Sequence, residues 1–322
     1  MGKMKRFAVL TLIVSMLVVL AACGGEASSK TASEEEKKTI KIGYLPITHA
    51  VPLFMENEQI GNFENFDLEL IKFGSWPELM DALNTGRIDG ASVLITLAMK
   101  AKSQGIDLEA VALGHRDGNV LVVGNDINEV QDLKGESFAI PHKFSTHNVL
   151  LNQMLEQNGL KYEDVNVIEL PPAEMPAALS EGRISGYVVA EPFGAISVQI
   201  GNGKVLYQDQ DIWQNSLDCV LVLRSDFIES ESKAAEEFVA QYVQAGELAE
   251  LKDDHTHEVS SKYMKVEKDV MDLSLQWISY DNLHIQEQPY KELVNSITSM
   301  GLFEDPPTYE EFVNNTLIDK VK

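Results

Sequence analysis

The chain has 322 residues, of which 26 are lysine or arginine and 50 are aspartate or glutamate, giving a formal net charge of −24. An acidic balance of this size repels nucleic acid and anionic lipid alike, so the composition excludes a nucleic-acid-binding protein. The length is sufficient for two modest hydrophobic cores, which is more than one small domain needs.

The first 22 residues have the pattern of an export signal. Lys3, Lys5 and Arg6 form a basic leader, and residues 7–22 are an uninterrupted run of apolar or small side chains. A membrane-spanning helix needs about 20 apolar residues, and this run is shorter and ends in small residues. Residues 1–22 are therefore predicted to be a signal peptide rather than a transmembrane anchor.

The run ends in the letters LAAC, residues 20–23, which resemble the bacterial lipobox. That resemblance implies cleavage before Cys23 and acylation of Cys23, for which palmitate is the expected lipid. We expect a lipoprotein anchored at the extracytoplasmic face of the cell membrane. The alternative is an ordinary secretory signal in which Cys23 is incidental. Residues 23–38 have almost nothing to bury and are predicted to be a flexible tether.

From residue 39 onward, strand patterns alternate with helix patterns, and the order is repeated in a second half. Such alternation favours parallel sheets of the βαβ kind. The first half has strand patterns at 39–47, 66–73 and 88–95 and helix patterns from 49 and over 76–86. The second half has strand patterns at 137–141, 165–170 and 184–190 and helix patterns at 145–160 and 172–182.

One short phrase occurs in both halves. Residues 83–93 read LNTGRIDGASV, and residues 179–189 read LSEGRISGYVV. We interpret both as a helix end, a glycine turn and the start of the next strand. The phrase then marks an internal pseudo-symmetry and does not bind a ligand, and Arg87 and Arg183 pair with carbonyls or carboxylates beneath each lobe.

The segment after residue 226 has amphipathic helix patterns and no strong strand pattern, so it is expected to pack on lobes already formed. The sequence predicts an α/β protein of two lobes with a central cleft and a helical C-terminal region. Lobe I is assigned to residues 39–120 plus 219–322, and lobe II to residues 121–218. The chain is expected to cross between the lobes near residues 120 and 219.

Several motifs together resemble the extracytoplasmic substrate-binding proteins of ABC importers. They are the lipobox and the letters GRIDGA at 86–91, STHN at 145–148, GYVVAEPF at 186–193 and DIWQN at 211–215. The branch that fits is the one for nitrate, bicarbonate, sulfonates, taurine and thiamine-precursor pyrimidines. The resemblance implies a type II-like periplasmic-binding-protein fold, an ABC permease and its ATPase as partners, and a monomer.

The resemblance also implies that Trp76 and His147 line the cleft. It departs from the family at two ligand positions, where the usual glycine is Ala190 and the usual lysine is Asp218 or Cys219. The absent lysine matters, because a buried anion without a charge partner costs several kcal/mol. A small apolar role remains the alternative for Cys219.

The candidate ligand-binding residues follow strands or begin helices, where open α/β sheets bind their ligands. A histidine there can donate to an anion or stack on a ring, a tryptophan can stack, and a glutamate can accept from a ring N–H or hold the hinge. For the serines and the threonine, plain helix capping is the alternative. The predicted site residues are His49, Ser75, Trp76, Ser145, Thr146, His147 and Glu191.

Three functions remain open at this stage. The first is capture of a small polar solute of the nitrate, sulfonate or bicarbonate type. The second is binding of a planar heterocycle such as a pyrimidine or a flavin, and the third is a sensor or adhesin lipoprotein. An enzyme is not expected, because no nucleophile elbow, Walker loop or C-x-x-C motif is present. No cofactor and no metal site are predicted, and the histidines at 255 and 257 point to different helix faces.

Overall fold

The computed structural model describes residues 37–60 and 62–321, without the side chains of residues 59 and 60. The predicted signal peptide, the lipidation site Cys23 and tether residues 24–36 lie outside the described residues. Two five-stranded sheets organise the described chain. Each is a mixture of parallel and antiparallel pairs, and helices cover both.

The strands of the first sheet are β1 (Lys38–Tyr44), β2 (Phe66–Lys72), β3 (Gly90–Leu94), β4 (Leu108–Leu113) and β11 (Cys219–Arg224). Their order in the sheet is β2-β1-β3-β11-β4. Strands β2 and β3 run parallel to β1, whereas β11 is antiparallel to both β3 and β4. All five residues of β3 are buried, as expected of a central strand covered on both faces.

The strands of the second sheet are β6 (Asn119–Gly124), β7 (Ser137–Ile140), β8 (Asn166–Glu169), β9 (Gly186–Ala190) and β10 (Gly203–Gln208). Their order in the sheet is β10-β6-β9-β7-β8. Here β8 and β9 run parallel to β7, and β6 is antiparallel to both β9 and β10. A small separate pair joins β5 (Arg116–Asp117) and β12 (Ile278–Ser279).

The two sheets have the same internal order, and they exchange one strand. In each, the second strand of the half lies at the edge, followed by the first, the third, an antiparallel strand and the fourth. The antiparallel strand of the first sheet, β11, comes after the second half of the chain. That of the second sheet, β6, follows directly on the first half. The chain therefore passes between the sheets just before β6 and again just before β11.

Thirteen α-helices of the described chain complete the architecture. They are α1 (Val51–Met55), α2 (Trp76–Asn84), α3 (Ile95–Ser103), α4 (Thr146–Gln157), α5 (Met175–Ser180), α6 (Phe193–Gln199), α7 (Asp209–Ile212), α8 (Ser225–Ser230), α9 (Ser232–Glu250), α10 (Asp254–Met264), α11 (Lys268–Gln276), α12 (Glu287–Ser299) and α13 (Tyr309–Phe312). Within residues 37–60 and 62–321, no helix combines the length and the apolar character that crossing a membrane requires. The long amphipathic α9 packs on α1 and buries Phe238 and Tyr242.

The repeated phrase builds the same corner in both sheets. Gly86 and Gly182 follow the last turns of α2 and α5 with φ of 70° and 67°, the left-handed conformation that glycine adopts without strain. Arg87 pairs with Asp81, and Arg183 pairs with Glu181, and all four side chains are exposed. The phrase thus closes a helix and starts a strand.

The second glycine of each phrase is required for close strand packing. A Cβ atom on Gly90 would lie 2.5 Å from the carbonyl oxygen of Val222, and one on Gly186 would lie 2.9 Å from that of Val122. Both carbonyls belong to the exchanged antiparallel strands, β11 and β6. Because Gly90 and Gly186 have no side chain, the exchanged strand can pack closely against them in each sheet.

Gly90→Ala is expected to lower the free energy of unfolding by about 1–3 kcal/mol, the usual effect of forcing an extra carbon into a packed site. Urea unfolding measures the loss. Gly74→Ala is the matched control, because the Cβ there would meet only the Glu78 side chain, at 3.6 Å. Equal stability of the two variants would contradict the steric argument.

Candidate functional site

Five polar side chains form a buried cluster where the chain passes between the two sheets. His49 belongs to a 3-10 turn, Thr48–Ala50, that follows β1 closely, and His147 lies in the first turn of α4. His115 lies between β4 and β6, and Asp218 and Cys219 lie at the entry to β11. Each of the five is at most 4% exposed. We call these five residues the histidine cluster.

The Asp218 carboxylate is the centre of this cluster. Its Oδ2 lies 3.1 Å from Nδ1 of His49 and 3.8 Å from Nε2 of His115, and its Oδ1 lies 3.6 Å from Nδ1 of His147. The Cys219 thiol lies 3.3 Å from Nδ1 of His49 and 3.7 Å from Asp218 Oδ2. The rings of His49 and His115 stack with centroids 3.5 Å apart.

Hydrogen-bond acceptors assign protons on two of the rings. His115 Nδ1 lies 2.6 Å from the carbonyl oxygen of Asp117, which can only accept, so this nitrogen carries a proton. The other nitrogen of that ring, Nε2, accepts from the backbone N–H of Cys219 at 3.4 Å. His49 lies between two acceptors: its Nδ1 donates to the Asp218 carboxylate at 3.1 Å, and its Nε2 lies 3.4 Å from the carbonyl oxygen of Gly118.

Burial and the neighbouring charges shift the pKa values of the cluster. Burial alone would raise the pKa of Asp218, but His147 and His49 outweigh it and hold that pKa below its usual range. Burial lowers the pKa of His147 to about 4 and that of His115 well below its ordinary value. Burial also raises the pKa of the Cys219 thiol well above its ordinary value. At neutral pH the cluster therefore contains an ionised carboxylate, two neutral imidazoles and a protonated thiol.

Several buried polar atoms of the cluster have no hydrogen-bond partner. They are both ring nitrogens of His147 and Oδ1 of Asp218. Within the described part of the chain, no lysine or arginine nitrogen lies within 4.0 Å of the Asp218 carboxylate. A buried donor or acceptor left unpaired costs about 1–3 kcal/mol, so such atoms indicate a binding site.

The predicted residues Ser145 and Thr146 make hydrogen bonds that hold the start of α4 next to the cluster. The Ser145 hydroxyl accepts from the backbone N–H of Asn148 at 3.2 Å and so caps the helix. The Thr146 hydroxyl donates to the carbonyl of Leu217 at 2.9 Å, directly beside Asp218. Both side chains are buried. They hold His147 in position against the start of β11.

The predicted residues Ser75 and Trp76 begin α2. Ser75 is at the N-cap position but its side chain makes no capping hydrogen bond. Trp76 is only 1% exposed, and its indole N–H has no partner. It lines a pocket of about 140 Å³ together with His142 and Phe144. The exposed fraction of Trp76 is that of a core residue. Stacking of a ligand on its ring stays a prediction.

The predicted residue Glu191 connects three parts of the fold. Its Oε2 accepts from the backbone N–H of Ala195 at 2.9 Å and from the Ser274 hydroxyl at 3.0 Å, which joins α6 to α11. Its carbonyl accepts from the backbone N–H of Thr48 at 2.8 Å, next to His49. Of the two roles considered from the sequence, these contacts are those of a residue that holds the hinge.

Burial raises the pKa of Glu191 to about 8, and burial likewise raises the pKa of Asp209 to about 8. A raised folded-state pKa means that the folded state binds more protons than the unfolded state. Stability is then full below the unfolded pKa and falls as the pH rises through 8. We expect Glu191→Gln to reduce this fall, by up to about 1.4 kcal/mol per pH unit.

Urea unfolding of Glu191→Gln and the unmodified chain at about pH 5 and about pH 8 checks this expectation. Asp209→Asn is the matched variant, because Asp209 is equally buried and its pKa is shifted in the same direction. Each variant should separately reduce the fall in the free energy of unfolding as the pH rises. Parallel pH profiles for all three proteins would show that Glu191 is not protonated in the folded state.

Sequence reasoning placed two of the five cluster residues, His49 and His147, in the site. It treated Asp218 and Cys219 only as departures from a family pattern, and it did not consider His115. One signal was available: His115, Asp218 and Cys219 all lie at the two places where the chain was expected to cross between lobes.

Ala190 lies at the end of β9, and its exposed fraction is 2%.

Comparison with known proteins places the chain in a family. The model of the NMT1-like family matches residues 33–264. Among the curated relatives, the nitrate import ATP-binding protein NrtC of Synechocystis is 28% identical over 217 residues, which is 60% of this chain and 32% of that protein. The putative aliphatic sulfonates-binding protein of Escherichia coli is 28% identical over 61% of this chain and 64% of that protein. The chain thus spans about a third of the first of these relatives.

Solved structures agree on the fold. The ligand-binding component of an ABC-type import system from Staphylococcus aureus, solved with zinc bound, is 40% identical and has a TM-score of 0.84 over 89% of this chain and 99% of that chain. The periplasmic nitrate-binding protein NrtA of Synechocystis has a TM-score of 0.80 at 20% identity, with 88% of each chain covered. The predicted periplasmic-binding-protein fold and the predicted resemblance are confirmed. The chain belongs to the NMT1-like family.

Proposed function

We propose that the chain is the extracytoplasmic solute-binding component of an ABC importer. It encloses a small polar solute between its two sheets and delivers it to the permease, without catalysis. The observation that carries the proposal is the histidine cluster. Its side chains come from the turn after β1, from α4 and from both crossing segments, and it contains buried polar atoms without partners. Ligand contacts from both sides of a cleft favour the closed state.

The same proposal includes the anchor and the assembly. The lipobox letters at 20–23 support acylation of Cys23 and attachment to the outer face of the cell membrane. The relatives that belong to nitrate and sulfonate import support an ABC permease and ATPase as partners. The binding chain is expected to act as a monomer.

Two classes of solute fit parts of the site. Relatives named for nitrate and aliphatic sulfonates support a small oxyanion, for which the start of α4 offers backbone N–H donors. A second class, a metal cation, is favoured by two observations. The Staphylococcus aureus protein was solved with zinc bound, and the ionised Asp218 carboxylate repels an anion and attracts a cation.

A thermal-shift panel tests the proposed function. The purified chain is titrated with nitrate, bicarbonate, a sulfonate, taurine, a pyrimidine, a flavin and zinc. A solute at one hundred times its dissociation constant should raise stability by about 2.7 kcal/mol. Small-angle scattering with that solute should show a smaller radius of gyration. No stabilisation by any member of the panel, and no compaction, would count against a solute-binding role.

A further inference from the structure

We propose that the histidine cluster is a transition-metal site in which His49, His115, Asp218 and Cys219 bind one ion of the zinc class. His147, from the other side of the cluster, faces the same carboxylate and completes the enclosure. This proposal rests on the proposed solute-binding function and names the solute of that site. The sequence alone predicted no metal site.

Four of the six distances between donor atoms are close to those of a tetrahedral site. With metal–nitrogen and metal–oxygen bonds of about 2.0–2.2 Å and a metal–sulfur bond of about 2.3 Å, the donors of tetrahedral zinc are about 3.3–3.8 Å apart. His49 Nδ1 lies 3.1 Å from Asp218 Oδ2 and 3.3 Å from Cys219 Sγ. Asp218 Oδ2 lies 3.7 Å from Cys219 Sγ and 3.8 Å from His115 Nε2. All four donors lie within 4.8 Å of one another.

Both rings can present a lone pair to a metal ion. A metal-binding imidazole commonly donates its other N–H to a carbonyl or a carboxylate, which fixes the tautomer. His115 Nδ1 donates to the carbonyl of Asp117, so its Nε2 has the lone pair, which accepts from the backbone N–H of Cys219 at 3.4 Å. His49 Nε2 lies 3.4 Å from the carbonyl of Gly118, which accepts the ring N–H when Nδ1 binds a metal. The ion then replaces the hydrogen bond between His49 Nδ1 and Asp218 Oδ2, which are 3.1 Å apart.

The chemistry of the set selects the class of metal. Two imidazoles, one carboxylate and one thiol suit zinc and its neighbours among the later transition metals, whereas magnesium and calcium prefer oxygen donors only. Zinc binding converts the Cys219 thiol to a thiolate, and the proton is released to the solvent. The ion then carries two positive charges against one carboxylate and one thiolate, so the buried site is neutral.

His147 links the ion to the second sheet. Asp218 directs Oδ2 toward His49 and His115, and it directs Oδ1 toward His147 at 3.6 Å. Both nitrogens of His147 are unpaired, so the ring can bind the ion directly or the free carboxylate oxygen. His147 lies in α4, which packs on β9 of the second sheet. Metal bound by the other four residues therefore gains a contact only when this helix is close.

The test uses the purified chain stripped with a chelator and then titrated with zinc or cobalt. Equilibrium dialysis with elemental analysis should give one zinc per chain, and cobalt should give the ultraviolet charge-transfer band of a cobalt–thiolate bond. Cys219→Ser should abolish that band and weaken zinc binding at least tenfold. His284→Gln is the matched control, because His284 makes an exposed pair with Asp319 at 3.2 Å outside the cluster. The control should bind as the unmodified chain does.

A second variant tests the closing role. His147→Gln should keep the cobalt–thiolate band, bind zinc at least tenfold more weakly and lose the zinc-dependent decrease in radius of gyration. Compaction equal to that of the unmodified chain would overturn the role of His147. A cobalt complex without a thiolate band would overturn the assignment of Cys219.

The outcomes separate this proposal from the proposed function. If another member of the solute panel binds and zinc does not, the metal site is wrong and the solute-binding role stands. If neither zinc nor any other solute binds, both are wrong. Zinc bound equally well by Cys219→Ser and His147→Gln would place the ion elsewhere on this acidic surface and would overturn the site.

Discussion

Asp218→Asn is expected to weaken zinc binding at least a hundredfold, equivalent to about 2.7 kcal/mol. Asp218 supplies the only carboxylate of the histidine cluster and contacts three of its rings. Asparagine has nearly the same shape and can accept hydrogen bonds, but it cannot offset the charge of a buried cation. Truncating one partner of a buried charge pair commonly costs 2–5 kcal/mol of binding, roughly the size expected here.

Competition with a chromophoric chelator measures this affinity, and circular dichroism checks that the variant is folded. Asp319→Asn is the matched control, because Asp319 also pairs with a histidine but is exposed. If an oxyanion is the solute, the same variant should instead strengthen binding, because a repulsive charge is removed. Asp218→Asn therefore distinguishes the two solute classes by the sign of its effect.

Trp76→Ala is expected to lower the free energy of unfolding by about 3–5 kcal/mol, the usual loss for a large aromatic side chain in a core. Trp76 is 1% exposed and belongs to the larger hydrophobic core, which includes Leu79, Leu83 and Ile88. Urea unfolding measures the loss. Trp76→Phe, which keeps a ring in the space, should lose much less.

The same pair of variants tests the predicted stacking role of Trp76. Binding measured per folded molecule should be unchanged in Trp76→Phe, because Trp76 lines a different pocket with His142 and Phe144. Quenching of Trp76 fluorescence by a pyrimidine or a flavin, together with a small loss of stability in Trp76→Ala, would instead support a heterocycle.

The fold was predictable from the sequence because its signals are local. Alternating strand and helix patterns, the glycine stops at Gly86 and Gly182 and the repeated phrase each occupy fewer than 20 residues. The exchange of β6 and β11 was less visible, because an antiparallel strand inserted from the other half leaves no periodic pattern of its own. The sequence predicted only that the chain crosses between the lobes near residues 120 and 219.

The site was predictable only in part for a related physical reason. His115 and Asp218 are 103 residues apart in the sequence (218 − 115) and meet because β4 and the exchanged β11 are neighbours. No local pattern encodes such a contact. The family resemblance also directed attention to a missing lysine near Asp218. Where the family has a lysine that offsets the charge of an anion, this chain has a carboxylate. Such a position is suited to a cation.

The two crossing segments have a mechanical consequence for the proposed importer component. His115, Asp218 and Cys219 lie on those segments, which are the natural pivot when one sheet rotates relative to the other. A solute held at a pivot moves very little, whereas the outer edges of the sheets, at β2 and β8, move through the longest arc. Binding at a completely buried site can thus change the positions of β2 and β8 at the outer edges of the two sheets.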